Sequence, residues 1–142
     1  MLQELKHQIK LDLPVAEAMH HFTPEGEEAW VDDWVPKYIH PTSKTTTQGM
    51  FFTTEHGGET TYWSCLNWEP ENGFVKYLRL NPGSRVSFVS VQLTALSANE
   101  TQVDVTYALK PLVEMAEGIP TQEQFSEHIG SWKGLVEALP RG

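Results

Sequence analysis

Residues 85–110 read RVSFVSVQLTALSANETQVDVTYALK. In the first arm Val89, Val91 and Leu93 alternate with Ser90, Gln92 and Thr94. In the second, Val103, Val105, Tyr107 and Leu109 alternate with Gln102, Asp104 and Thr106. Ser97-Ala98-Asn99-Glu100 between them is a short polar connection. A period of two on both sides of a tight turn predicts an antiparallel hairpin, with one dry face and one mostly wet face.

Working outward, the same period and regular turn signals extend back to about residue 38. Gln48–Glu55 and Thr60–Trp68 read as strands around His56-Gly57-Gly58-Glu59. Phe74–Leu80 follows Glu71-Asn72-Gly73, where Asn-Gly suits the positive φ of a tight hairpin turn. Asn81-Pro82-Gly83-Ser84 then leads into the quoted hairpin, so the middle of the chain is an antiparallel meander.

Both flanks are different. At the C-terminal side, Thr121 and Gln124 form the two ends of a capping box. Phe125, Ile129, Trp132, Val136 and Leu139 then recur at steps of four and three, one face of a helix of about five turns. At the N-terminal side, residues 4–12 alternate as a strand with Leu5, Ile9 and Leu11 on one side. Pro14 suits the first turn of a short helix carrying Val15, Met19 and Phe22. Thr23-Pro24-Glu25 opens a second, with Thr23 as N-cap, Trp30, Val31 and Trp34 along it, and Pro36 as its stop.

Composition bounds the function. The 142 residues fit one domain, residues 1–142, and 39% hydrophobic with 11% aromatic residues supplies a real core. Ten Lys and Arg against 19 Asp and Glu give a formal net charge of −9, and the basic residues are scattered. Nucleic acid and anionic membrane surfaces are therefore poor partners. A single cysteine, Cys65, excludes an intrachain disulfide framework and a Cys-based zinc site. MLQELKHQIKLDLP has no apolar signal region, and no stretch approaches the length of a membrane span, so no membrane insertion and a cytoplasmic location are expected.

The order strand, two short helices, meander, long helix is that of the helix grip. Particular residues add a resemblance. Phe22-Thr23-Pro24-Glu25-Gly26-Glu27, followed by Trp30-Val31 and Trp34-x-Pro36, resembles the helix-loop signature of START-like (SRPBCC, polyketide-cyclase-type) proteins. Gly49-Met50-Phe51-Phe52-Thr53-Thr54, Glu55-His56-Gly57-Gly58, Trp63, Glu69-Pro70, Tyr77 to Ser84 and the Thr101–Tyr107 strand are similar as well, so the likeness spans about residues 4–139. It implies an α+β helix-grip fold: a curved antiparallel sheet of six to seven strands wrapped around a long C-terminal helix, with two short helices after the first strand. It further implies a cavity between sheet and helix. Members bind lipids, sterols, hormones and polyketides, and some catalyse aromatic cyclisation, but they share no common catalytic motif. Residues 110–120 depart from the pattern as a longer, partly apolar connection, in which Leu112, Val113, Met115 and Ile119 form either a lid or a connector tucked on the core.

The expected function is binding of a small or medium hydrophobic ligand, whether lipid, polyketide or aromatic. The alternatives are a cyclase, dehydratase or isomerase using the same cavity, and a protein-interaction module without ligand. Candidate ligand-binding residues are Trp34, Phe51, Trp63, Cys65, Tyr77, Arg79, Val91, Tyr107, Phe125, Ile129 and Trp132. Arg79 is the possible polar anchor. It points inward if Val75 and Tyr77 do, and outward if Phe74, Leu78 and Leu80 fill the core. Glu25, Glu27, Glu28, Asp32 and Asp33 read as a helix-start cluster and solvated face, while Glu69 and His40 are candidates for the cavity mouth. The six histidines show no metal-ligand spacing, and neither metal nor cofactor is expected. Cys65 reads as a small buried apolar residue. An apolar surplus on the outer face, including Phe88, suggests a homodimer through the sheet.

Overall fold

In the computed structural model, which describes residues 3–114 and 119–140, seven strands form one antiparallel sheet. They are β1 (Gln3–Leu11), β2 (Lys37–His40), β3 (Phe51–His56), β4 (Glu59–Glu69), β5 (Phe74–Asn81), β6 (Arg85–Ser97) and β7 (Glu100–Pro111). Their order is β1-β7-β6-β5-β4-β3-β2, so the meander is intact and β1 adds to its far side. Helices α1 (Val15–His20) and α2 (Pro24–Glu27) follow β1, and α3 (Gln122–Glu137) closes the chain. This is the α+β helix grip expected from the sequence, with the strand count at its upper value because the short β2 pairs with β3.

The hairpin that fixes the fold behaves as its alternation requires. Val89 faces Tyr107, Val91 faces Val105 and Leu93 faces Val103 across β6 and β7, and all but the half-buried Tyr107 are buried. The inner face extends through Leu5, Ile9 and Leu11 of β1 and Val75 and Tyr77 of β5. Against it lie Phe125, Ile129, Trp132 and Val136 of α3. The capping box is present: the Gln124 N–H donates to Thr121 Oγ1 at 3.1 Å, and the Thr121 N–H donates to Gln124 Oε1 at 2.9 Å.

Polar bonds hold α3 to β1 along its length. The Lys6 N–H donates to Gln122 Oε1 at 3.3 Å, and Gln122 Nε2 donates to the Lys6 carbonyl at 2.9 Å. Lys133 Nζ donates to the Lys10 carbonyl at 2.6 Å, and the Asp12 N–H donates to Glu137 Oε2 at 2.8 Å. The helix is thus fixed to one edge of the sheet. A hollow remains between the helix and the strands farther across.

Three local expectations are corrected. The second helix ends at Glu27, and Trp30, Val31 and Trp34 lie in the turns and irregular chain beyond it. There the indole N–H of Trp30 donates to the His21 carbonyl at 3.0 Å and that of Trp34 to the Pro24 carbonyl at 2.8 Å. These bonds fold the segment back onto its own start, and Asp33 at φ 56° completes the break. Pro14 is the N-cap of α1 rather than a residue of its first turn. Before β5, Pro70–Asn72 form a short 3-10 turn, and the positive φ belongs to Gly73 alone, at 67°.

Gly26 is required by packing. A Cβ there would run into the backbone carbonyl of His20, because Thr23 draws the two helices together. The Thr23 hydroxyl donates to the His20 carbonyl at 2.7 Å while its oxygen accepts from the Gly26 N–H at 2.9 Å.

Candidate functional site

Strand parity decides which side chains reach the hollow. On β5, Val75, Tyr77, Arg79 and Asn81 share the inner face, leaving Phe74, Leu78 and Leu80 half-exposed outside. Arg79 therefore points in. On β6 the inner set begins earlier than the apolar residues suggest: Arg85 and Ser87 are buried in line with Val89 and Val91. On β3 the inner residues are Phe52 and Thr54. Phe51 is consequently a correction. It lies on the outer face, stacked on Tyr62 at 6.1 Å between ring centres, because the one-residue shift of parity hands its inward place to Phe52.

The cavity enclosed between this face, α3 and the segment after α2 has a volume of about 500 Å³. Trp34, Trp63, Tyr77, Arg79, Val91, Tyr107 and Trp132 all line it. A second hollow of about 570 Å³ adjoins it, sharing Arg79, Tyr107 and His128 and adding Phe125 and Ile119. Cys65 and Ile129 are fully buried but belong to the core behind the walls. Burial pushes the Cys65 thiol up to about 12, and its Sγ lies 3.5 Å from the Asn67 carbonyl, so it is no nucleophile near neutral pH.

Four of the lining rings have their polar tips bonded within the protein. Trp30 and Trp34 spend their indole N–H groups on backbone carbonyls. Trp63 Nε1 donates to Thr54 Oγ1 at 3.0 Å, and Tyr77 Oη donates to the Phe22 carbonyl at 2.7 Å. Phe22, Trp30 and Trp132 pack as a cluster with centroids 5.3–6.0 Å apart. Trp34, Phe52 and Trp63 form a second, at 5.5–6.1 Å. Rings held this way present a rigid, largely apolar surface.

Polar groups stand among the rings. The guanidinium of Arg79 stands 5.4 Å over the Trp63 ring, and its Nε is buried without a hydrogen-bond partner. Burial lowers its pKa, with Tyr107 opposing that shift and Arg85 adding to it. Arg85 itself is buried and ion-paired with Glu59 at 3.3 Å. Near it Asn81 Nδ2 donates to Thr61 Oγ1 at 2.7 Å, and Asn81 Oδ1 and Ser87 Oγ lack partners. His128 of α3 has its pKa lowered by burial and then by Arg79.

Glu27 is the residue that sequence reasoning missed most clearly. It lies in the cavity wall, where loss of water pushes its carboxyl up to about 8. Its charge bears on Tyr77 and Tyr107 inside the hollow. Spacing carries a signal for it, since Glu27, Trp30, Val31 and Trp34 fall at i, i+3, i+4 and i+7. Arg85 was legible in the same way, two steps of two before Val89. The mouth is acidic, with Asp32, Asp33, Glu55 and Glu59 around it.

Two other candidates are not brought to the cavity. Glu69 accepts from Asn67 Nδ2 at 3.4 Å and from Asn72 Nδ2 at 3.1 Å, away from the lining, and His40 is exposed on β2. Of the connector, Leu112 and Val113 are exposed, Ile119 borders the second hollow, and Met115 lies outside the described residues. Among the described residues no group of three His, Cys, Asp or Glu is placed to hold a metal ion, and no helix is long and apolar enough to cross a membrane.

Solved structures decide the architecture. A START superfamily protein from Mycobacterium smegmatis superposes with a TM-score of 0.65 at 8% identity, over 94% of each chain. The fold is the START-like helix grip. The Zhui aromatase/cyclase from Streptomyces sp. R1128 matches this START-like chain with a TM-score of 0.59 at 14% identity, over 96% of it and 86% of its own length. Ara h 8.0201 does so with a TM-score of 0.66 at 10% identity, over 97% and 95%. No family model matches the sequence, and no curated protein matches it significantly. The START-like likeness is therefore one of backbone fold, and function rests on the side chains that face the hollow.

Proposed function

We propose that this START-like protein binds a small or medium hydrophobic molecule, a lipid, polyketide or aromatic compound, between the sheet and α3. The observation that carries this reading is the hollow of about 500 Å³, walled in part by Trp30, Trp34, Trp63 and Tyr77, whose polar tips are already bonded within the protein. Ligand cavities are typically of this size and mostly apolar, with a few placed polar groups. Arg79 is the anchor. Its guanidinium has no carboxylate partner among the described residues, so a ligand oxygen satisfies a donor that burial has stripped of water.

Native mass spectrometry of gently purified protein, set against the denatured mass, tests the proposal. An extra mass that leaves on denaturation supports it and gives the chemical class of the cargo. A bare chain that also fails to take up Nile red would overturn it in favour of a protein-interaction module. The enzymatic alternative has one specific observation in its favour, the Glu27 carboxyl in the wall. Proton-transfer chemistry in the hollow requires that Glu27→Gln lose turnover while keeping ligand affinity.

A further inference from the structure

Glu27 and Arg79 are opposite in charge type and line one cavity, yet no bond joins them. Tyr107 lies between their influences: Arg79 favours its ionisation and Glu27 opposes it. Glu27, Arg79 and the Tyr107 ring thus share one lining, with polar groups of opposite type on it. The surroundings of the acid are distinctive. Trp30 follows Glu27 by one turn, the Trp30 N–H donating to the Glu27 carbonyl at 3.2 Å. Trp132 packs on Trp30 at 5.3 Å, and Tyr77 and Tyr107 stand within reach of the carboxyl's charge. Trp30 and Tyr77, whose tips are bonded elsewhere, line the cavity beside Tyr107 and Trp132, and the faces of such rings attract an organic cation. The rim carries Asp32, Asp33 and Glu55 on a chain of net charge −9, a field that draws cations to the mouth and repels anions.

We propose that the part of the cavity at Glu27 is a subsite for an organic ammonium group, so that the ligand is an amine-bearing aromatic or alicyclic molecule rather than a fatty acid or other anionic lipid. This rests on the ligand-binding reading above and narrows its chemistry. The ammonium ion takes the Glu27 carboxylate as its counter-charge and the ring faces as its cage. The ligand body lies over Tyr107, and an oxygen at the far end meets Arg79. In the empty cavity the carboxyl keeps its proton up to about pH 8, so binding of the cation expels that proton. The titratable groups facing Glu27 are Tyr38 on β2, Tyr77 on β5 and Tyr107 on β7, all pushed above the usual phenol range. His128 across the hollow titrates below its usual value. Between pH 7 and 9 the carboxyl is therefore the group in this set that changes charge.

Calorimetric titration with three shape-matched probes tests the subsite: 2-(2-naphthyl)ethylamine, 2-(2-naphthyl)ethanol and 2-naphthylacetate. The amine is expected to bind at least tenfold tighter than the alcohol. At pH 7 it should release a proton, seen as a dependence of the heat on buffer ionisation. Glu27→Gln should erase the tenfold preference of amine over alcohol, and Glu27→Asp should retain part of it. If Glu27→Gln does not fold, the wild-type ratio and proton release decide. Equal or tighter binding of the alcohol or the carboxylate overturns the ammonium subsite and leaves the cavity reading standing. If none of the probes binds, the ammonium subsite falls, and Nile red uptake decides the cavity reading separately.

Discussion

Arg79 sits over the ring of Trp63 instead of beside a carboxylate, and its Nε has no partner. Such a group is held at a cost to the fold, since desolvation of a charge is not repaid by a ring contact alone. Arg79→Met should therefore leave the ligand-free protein as stable as before or raise it by about 1 kcal/mol, measured as the urea midpoint, while weakening any ligand that presents an oxygen. Glu27 makes the second residue-scale prediction. Its folded pKa, about 8, lies above the ordinary carboxyl value of 4.5, so between these values the folded state holds a proton that the unfolded state has lost. That contribution is fully present below pH 4.5 and fades as pH rises toward 8, by at most ~1.4 kcal/mol per pH unit. Urea unfolding from pH 5 to 9 should show this decline, and Glu27→Gln should flatten it. At this scale the sequence was legible wherever one face was plainly apolar. It was ambiguous on β3 and β5, where Phe51 adjoins Phe52 and Leu78 adjoins Arg79, because both parities offer bulky apolar residues. Glu27 fell on the apolar period, but its place in a run of acids at a helix start outweighed that.

Elements were easier to read than side chains. The β6–β7 hairpin and the α3 stripe follow from period alone, since each turns one apolar face to the core. The segment after Thr23 was harder. Its i, i+4 pair of Trp30 and Trp34 has helical spacing, yet their indole N–H groups reach back to carbonyls of residues 21 and 24 and close the chain into turns. Side-chain bonds of that kind are invisible to periodicity. β2 was unmarked for the opposite reason, being four mostly exposed residues paired on one side. The junction of α1 and α2 makes the prediction here. Gly26→Ala should destabilise the fold by about 1–3 kcal/mol, because the new methyl group meets the His20 backbone rather than a movable side chain. A loss smaller than ~0.5 kcal/mol in urea unfolding would show that the two helices can part without consequence.

For the whole molecule, the sheet has one face committed to the cavity and core and another bearing half-buried apolar residues. On that outer face Leu78 lies opposite Phe88 and Leu80 opposite Val86 across β5 and β6, with Lys76 over the Phe88 ring at 5.2 Å. A homodimer through this surface predicts a sedimentation mass that rises with concentration and reverts to the monomer in Phe88→Lys. A monomer mass independent of concentration in the wild type removes the dimer. The bonds from α3 to β1 carry a different consequence. Strands at the margin of a sheet expose peptide groups that invite a foreign strand. Here the side chains of Gln122, Lys133 and Glu137 occupy such groups at Lys6, Lys10 and Asp12, standing in for an eighth strand. The helix that shuts the cavity is also the guard of that margin, and loosening it exposes a template for intermolecular pairing. Aggregation that begins at β1 is then the expected price of any substitution that frees α3.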